Sequence, residues 1–339
     1  MNYWFSKNKI PIIAEIGMNH EGNFDNCKKI LYEALETNVD IIKFQTFETN
    51  SFINKKYSPH RHTHFDKFLL SNSQFEELAN ICKSRNKIFM TSFWDINSID
   101  ILDKYVPYYK VGSGDLTNYQ ILKKLALKNK PIIISCAMSN LEEVKKSIKF
   151  IDSINPKLIE NNDLVVLHCV AMYGEPKDEY ANLLSIKTLQ NELNVPIGYS
   201  DHTVGTYACE LAISMGAKLI EVHFTDNNKN REFRDHEISL TKNELQYLLD
   251  RRDQIQVLLG KYGKFPIEPI ENENRITEFR RALYLNKNMK EGDIISENDI
   301  IALRPRMGIP AEYYDKLIGK KIKKDVIEYL EKLDFSYFY

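Results

Sequence analysis

Eight short runs of apolar, often β-branched residues recur along the first two-thirds of the chain. They are IIAEIG (12–17), IIKFQT (41–46), IFMTSF (88–93), YYKVGS (108–113), PIIISC (131–136), LVVLHC (164–169), PIGYSD (196–201) and LIEVHF (219–224). Between them lie stretches such as NCKKILYEALETN, NSQFEELANICKSR and LEEVKKSIKFIDSI, with apolar residues at helical spacing. Strands alternating with helices predict an α/β fold of parallel strands joined by crossover helices. Eight such units in about 250 residues match a TIM (β/α)8 barrel in count and length. A doubly wound sheet would more often carry a glycine-rich phosphate turn after its first strand, and IGMNHEGN is not GxGxxG. The pattern changes after residue 262. Residues 263–279 are rich in proline and charge and read as a linker. Residues 280–339 hold short strand-like and helical pieces around Gly292, Gly308 and Gly319, which predicts a small β-rich domain behind a barrel of residues 1–262.

Each run gives out in polar side chains, and in a TIM barrel the active site lies at the carboxyl ends of the strands. The first run supplies Glu15, the second Lys43 and Gln45, the third Thr91 and Ser92. The fourth supplies Lys110, Ser113 and Asp115, the fifth Ser135, and the sixth His168 with Tyr173 shortly after. The last two supply Ser200, Asp201, His202 and His223. His202 and His223 end consecutive strands and are therefore neighbours in a barrel. Two neutral imidazoles with a carboxylate or waters suit Mn²⁺, Zn²⁺ or Fe²⁺, against the plainer reading of two hydrogen-bonded barrel histidines. Lys43 and Lys110 interrupt apolar strands, and a lysine directed inward is costly unless it meets an anion. Hydroxyls from Thr91, Ser113, Ser135 and Ser200 make that anion a phosphate or carboxylate; the alternative is that either lysine snorkels outward. Glu15 and Asp115 are candidate acid and base groups, or structural partners of those lysines. The stretch HRHTH (60–64) would place three histidines on one strand face and bind a metal, or form a lid loop after the second strand.

Composition narrows the partners. The 339 residues are 43% hydrophobic and 27% charged, with a formal net charge of −1, so no basic field exists for nucleic acid. No apolar run approaches the length of a membrane span, and the first residues lack a secretory apolar core. Five scattered cysteines without CxxC pairing read as reduced thiols, which points to the cytoplasm.

The segments IIAEIGMNHEGN, IIKFQT, YKVGSGD, GYSDHT, EVHFT and DHEIS, followed by RRALY, GDIISENDI and RP, resemble the sialic acid synthase family. That family holds N-acetylneuraminate, legionaminate and pseudaminate synthases and related spore-coat polysaccharide proteins, and the tail resembles its antifreeze-like SAF domain. The resemblance implies condensation of phosphoenolpyruvate with a 2-acetamido or diacetamido hexose, giving a nine-carbon 2-keto-3-deoxy acid and phosphate with C–O cleavage. It implies a divalent metal, Mn²⁺ with Mg²⁺ or Co²⁺ as alternatives, held by His202 and His223. It places Lys43, Thr91, Lys110, Ser113, Ser135 and Ser200 on phosphoenolpyruvate, Glu15 near its C2, and Gln45, Tyr173 and Asp235 toward the sugar. Asp115 stands where some members have glutamate. Arg304 matches an arginine that the small domain delivers to the partner subunit in a domain-swapped homodimer. Ala171 and Gly174 in CVAMYGEP, the segment ISCAM, and NREFRDHEIS depart from the commoner family patterns, on the sugar side. The competing readings are another phosphoenolpyruvate- or keto-acid-dependent aldol condensation on a TIM barrel, and a non-catalytic carbohydrate-binding relative.

Overall fold

All eight apolar runs fold as strands: β1 Ile12–Gly17, β2 Ile41–Thr46, β3 Ile88–Phe93, β4 Tyr109–Val111, β5 Ile132–Ser135, β6 Leu164–Cys169, β7 Ile197–Asp201 and β8 Ile220–His223. The computed structural model describes residues 9–229 and 231–339; residues 1–8, part of the stretch read for a leader, lie outside them. The strands pair in parallel and in chain order, and β8 closes onto β1 with Glu15 beside His223. The predicted α/β barrel is therefore the observed one.

Successive side chains of a strand point to opposite faces. Here both faces are covered, which is why the runs read as continuous apolar segments rather than alternating ones. Outward residues such as Ile12, Ala14, Ile42 and Phe44 pack under the helices. Inward residues Ile13, Ile41, Met90, Tyr108, Ile133, Val165, Leu167 and Leu219 form a separate cluster that plugs the barrel. Each aliphatic side chain fully buried in this way contributes roughly 1.5–3 kcal/mol. The plug leaves no room at Gly198 on β7, where a Cβ would meet Leu167 Cδ2 at 2.5 Å and the Leu219 carbonyl closer still. Gly198→Ala is expected to lower stability by about 1–3 kcal/mol through overpacking, read by urea denaturation; an unchanged midpoint and slope would contradict this.

Helices start where the sequence carries caps. Asn23 accepts from Asn26 N ahead of α1 (Phe24–Leu35), and Asn140 with Glu143 forms a capping box ahead of Leu141–Ile154. Three helices lie between β2 and β3: α2 (Thr49–Phe52), α3 (Pro59–Asp66) and α4 (Asn72–Ser84). HRHTH is thus helical, neither a strand nor an open loop. Helical spacing separates His62 from His60 and His64, and His62 is buried between Asn50 Oδ1 at 2.9 Å and Asp66 Oδ2 at 3.2 Å. No three-histidine face exists there.

The chain divides into two compact units after Gly260. The second pairs β9 (Ala282–Leu285) antiparallel with β11 (Ile300–Leu303), and β10 (Met289–Lys290) with β12 (Val326–Ile327). Its own core includes Leu283, Leu285, Ile295, Leu317 and Leu333. The stretch read as a linker contains a helix, Glu273–Phe279. No helix among the described residues is long and apolar enough to cross a membrane.

Candidate active site

Above the apolar plug, one step of two residues along each strand, the inward positions turn polar. Glu15, Lys43, Ser92, Lys110, Ser135, Cys169, Ser200 and Glu221 form this layer, and a further step brings Gln45, Gly112, His202 and His223. All twelve line one cavity of about 520 Å³. The strand period assembles the site: a barrel converts alternate residues of eight separate segments into stacked rings.

The lower ring is an ionic lattice. Lys43 Nζ lies 2.7 Å from Glu15 Oε2, 3.7 Å from Glu221 Oε2 and 3.1 Å from Ser92 Oγ. Lys110 Nζ lies 3.4 Å from Glu221 Oε1 and donates to Ser135 Oγ at 2.8 Å. Ser200 Oγ donates to Glu221 Oε1 at 3.1 Å, and Gln45 Nε2 to Glu15 Oε1 at 2.7 Å. The four charged groups are at most 6% exposed. Burial, only partly offset by Lys43, and the neighbouring Glu221 raise the Glu15 carboxyl. Glu221 is burdened by the same burial, yet Lys110 and Lys43 together hold it below the ordinary glutamate value. Glu15 is therefore the carboxyl that keeps a proton more readily. Burial lowers Lys110, whereas Lys43, though equally buried, is raised by Glu15 and Glu221.

The upper ring holds the histidines. Their ring centroids are 5.1 Å apart. His202 Nε2 meets the Tyr173 hydroxyl at 2.8 Å and its Nδ1 meets Cys169 Sγ at 3.4 Å. Burial depresses His202 to about 4 and, with His202, Lys43, Lys110 and Arg234 nearby, pushes His223 well below its ordinary value. Both are neutral imidazoles, the state a metal ligand requires. His223 Nδ1, Gln45 Oε1 and Glu221 Oε2 are buried without hydrogen-bond partners. Buried acceptors without hydrogen bonds, in the cavity that two neutral imidazoles also line, fit a divalent cation. No cluster of three or more histidine, cysteine or acidic side chains in metal-binding proximity occurs among the described residues, so water or substrate would complete its coordination.

Asp235 is 2% exposed beside Arg234, whose Nε is 3.3 Å from Oδ1. Burial outweighs the arginine and raises the carboxyl from 3.8 to about 6. The folded state therefore binds more protons than the unfolded chain between those values, and stability falls as pH rises through them. Asp235→Asn is expected to remove that loss, gaining roughly 2–3 kcal/mol above the window and little below it. Thermal denaturation on both sides of the window checks this; a pH-independent difference would refute it.

The remaining expected residues divide. Ser113, Asp115 and Tyr173 line the cavity, with Ser113 Oγ accepting from Ala137 N at 3.0 Å and burial raising Asp115 despite a hydrogen bond from Asn118. Thr91 does not. It occupies the outward phase of β3, where its hydroxyl pairs with Thr46 Oγ1 at 2.7 Å, and Ser92 takes the inward place. His168 and Asp201 are likewise outward: His168 Nε2 meets the Ala181 carbonyl, and Asp201 accepts from Tyr199, Thr203 N and Cys209. Arg304 belongs to the second unit, with its guanidinium over the Phe279 ring. Glu221, missed from sequence, stands two residues before His223 in EVH and so shares its face; period two alone would have found it.

Comparison with known proteins gives the family of both parts of the chain. The NeuB family matches residues 30–264 and the SAF domain residues 280–328. An uncharacterised protein of Methanocaldococcus jannaschii is 37% identical over 93% of this chain and 90% of its own. The N,N'-diacetyllegionaminic acid synthase of Campylobacter jejuni is 33% identical over 94% of this chain and 98% of its own. Among solved structures, the N-acetylneuraminic acid synthetase of Leptospira borgpetersenii superposes with a TM-score of 0.70 at 26% identity, covering 77% of this chain and 88% of that one.

Proposed function

The chain belongs to the NeuB family, and from that premise we propose that it condenses phosphoenolpyruvate with an acetamido hexose to a nine-carbon 2-keto-3-deoxy acid, releasing phosphate. The supporting observation is the stacking of a ring of two lysines, two glutamates and serine hydroxyls beneath two neutral imidazoles in one cavity. Burial raises Glu15 while Lys110 and Lys43 lower Glu221, so an incoming anion can compete with Glu15 for Lys43 and Lys110. Ser92, Ser135 and Ser200 add hydroxyl donors, so phosphate and carboxylate of the enol phosphate both find partners. The reacting C3 is then turned outward, toward the ring of His202 and His223.

His202 and His223 would hold a divalent cation, which supplies Lewis acidity at the aldehyde of the open-chain sugar. C3 attacks that aldehyde carbon, water adds at C2, and the C–O bond to phosphate breaks with the electron pair leaving on the phosphate. Glu15 is the group placed to take the water's proton once ionised, and Gln45 fixes its orientation at 2.7 Å. Tyr173, Asp235 and Asp115 face the outer cavity and are assigned to the sugar. Arg304 is assigned to the barrel of a second copy in a domain-swapped homodimer.

Phosphate release should require Mn²⁺ (or Mg²⁺ or Co²⁺), phosphoenolpyruvate and an acetamido hexose together. Release without the sugar, or none with any acetamido hexose, would remove the reading.

A further inference from the structure

His236 follows Asp235 in DHEIS and is 0% exposed, a buried imidazole to which the condensation assigns no step. It sits in a short turn, Arg234–His236, on the connection after β8. Its Nε2 lies 3.2 Å from Glu21 Oε1, on the connection after β1, and its Nδ1 lies 2.7 Å from Thr225 Oγ1, two residues past His223. Burial acts most strongly on this ring and, with Arg231, lowers it despite Glu21 and Asp226, so the imidazole is neutral. A carboxylate only accepts, so Nε2 carries the proton and donates to Glu21, while Nδ1 accepts from the Thr225 hydroxyl. The other acceptors within reach of that hydroxyl are farther away, Asp226 Oδ1 at 3.2 Å and the Asn227 carbonyl at 3.4 Å.

Carboxylate, imidazole and hydroxyl in a row have the order of a nucleophile's triad, yet Thr225 is 0% exposed and is not among the residues lining the cavity. The array is a brace. It ties the connections after β1 and β8 together where the barrel closes, and next to its imidazole in the chain is Asp235, which lines the cavity. The backbone of this turn is held from both sides. Ser239 Oγ donates to the Asp235 carbonyl at 2.6 Å and accepts from Asn19 Nδ2 at 2.8 Å. Phe233 packs on Phe68 at 4.9 Å, within the aromatic cluster that walls one side of the cavity. The Asp235 carboxyl itself has little to hold it: Oδ1 makes no hydrogen bond, and its ion partner is the neighbouring Arg234. Its place is therefore set by the turn. Glu21 keeps a φ of 52°, in the left-handed region that a non-glycine residue holds only where its surroundings over-determine it.

We propose that His236 is a positioning residue: braced by Glu21 and Thr225, it fixes the turn that presents Asp235 to the cavity. The role of Asp235 toward the sugar rests on the synthase reading above; the brace does not.

Replacing the fully buried His236 risks misfolding, so the test cuts the brace at Glu21, whose side chain is 39% exposed. Glu21→Ala removes the acceptor and Glu21→Gln restores one for the imidazole N–H. Both keep a Cβ, so the left-handed backbone costs the same in each. In phosphate release by the full chain with Mn²⁺ and an acetamido hexose, Glu21→Ala should raise the KM of the sugar by about fivefold or more and leave that of phosphoenolpyruvate unchanged. Glu21→Gln should stay within about twofold of the parent. A second arm needs no turnover. Burial raises Asp235 from 3.8 to about 6 against Arg234, with Tyr173 nearby, so Asp235→Asn lifts the parent's Tm above that window. A loosened turn lets water reach the carboxyl. On the Glu21→Ala background the lift should therefore fall below about half, and on Glu21→Gln it should be kept. The two KM values moving together, no rescue by Glu21→Gln, or an undiminished lift overturns the brace and leaves the synthase reading standing. Absence of turnover with every acetamido hexose ends the synthase reading, and the Tm arm then decides the brace alone.

Discussion

Glu221→Ala is expected to destabilise the barrel by about 3–5 kcal/mol and to cut phosphate release by more than about a hundredfold. Glu221 is the shared partner of two buried ammonium groups, 3.4 Å from Lys110 and 3.7 Å from Lys43. Truncating it leaves Glu15 as the sole carboxylate for both, and the Ser200 hydroxyl loses its acceptor. The cost arises from uncompensated buried charge, not from the attraction lost. Lys110, already lowered by burial, would be lowered further, which weakens the anion cradle as well. Chemical denaturation and a phosphate-release assay read both effects. Stability within about 1 kcal/mol of the parent would mean that the lattice is far better solvated than its burial indicates.

His202→Ala and His223→Ala are each expected to lose turnover by about a thousandfold or more while retaining phosphoenolpyruvate binding. The upper ring that would hold the cation is separate from the lower ring that would hold the anion. Deleting one imidazole therefore removes activation of the aldehyde without touching Lys43 or Lys110. Thermal shifts separate the two rings: Mn²⁺ should raise the parent's Tm and not either variant's, whereas phosphoenolpyruvate should raise all three. Full activity of metal-stripped parent enzyme would exclude the assignment of His202 and His223.

How far the site was legible depended on how strand ends were read. Treating every polar residue near the end of an apolar run as a candidate brought in Lys43, Lys110, Ser135, Ser200 and the histidines. It also brought in Thr91, whose hydroxyl serves Thr46 on the outer face, together with His168 and Asp201. It passed over Glu221 and Cys169, which sit in phase with residues already chosen. The phase information was in the sequence, since side chains alternate and His223 fixes the face of Glu221. HRHTH went astray for a different reason. It reads as a lid loop, or on a strand as a three-histidine face, but Pro59 at the first turn and the position after β2 start a helix that buries His62.

The order of eight apolar runs and their intervening helical patterns determined the barrel, because a closed parallel sheet covered on both sides is what such segments can bury. The same pattern placed the chemistry at the carboxyl ends. Only the tertiary structure decided which charges meet: that Lys43 and Lys110 share Glu221, that burial raises Glu15 while those lysines lower Glu221, and that an aromatic wall closes one side. Pairing and desolvation depend on distances between segments far apart in the chain, and linear order carries no record of them.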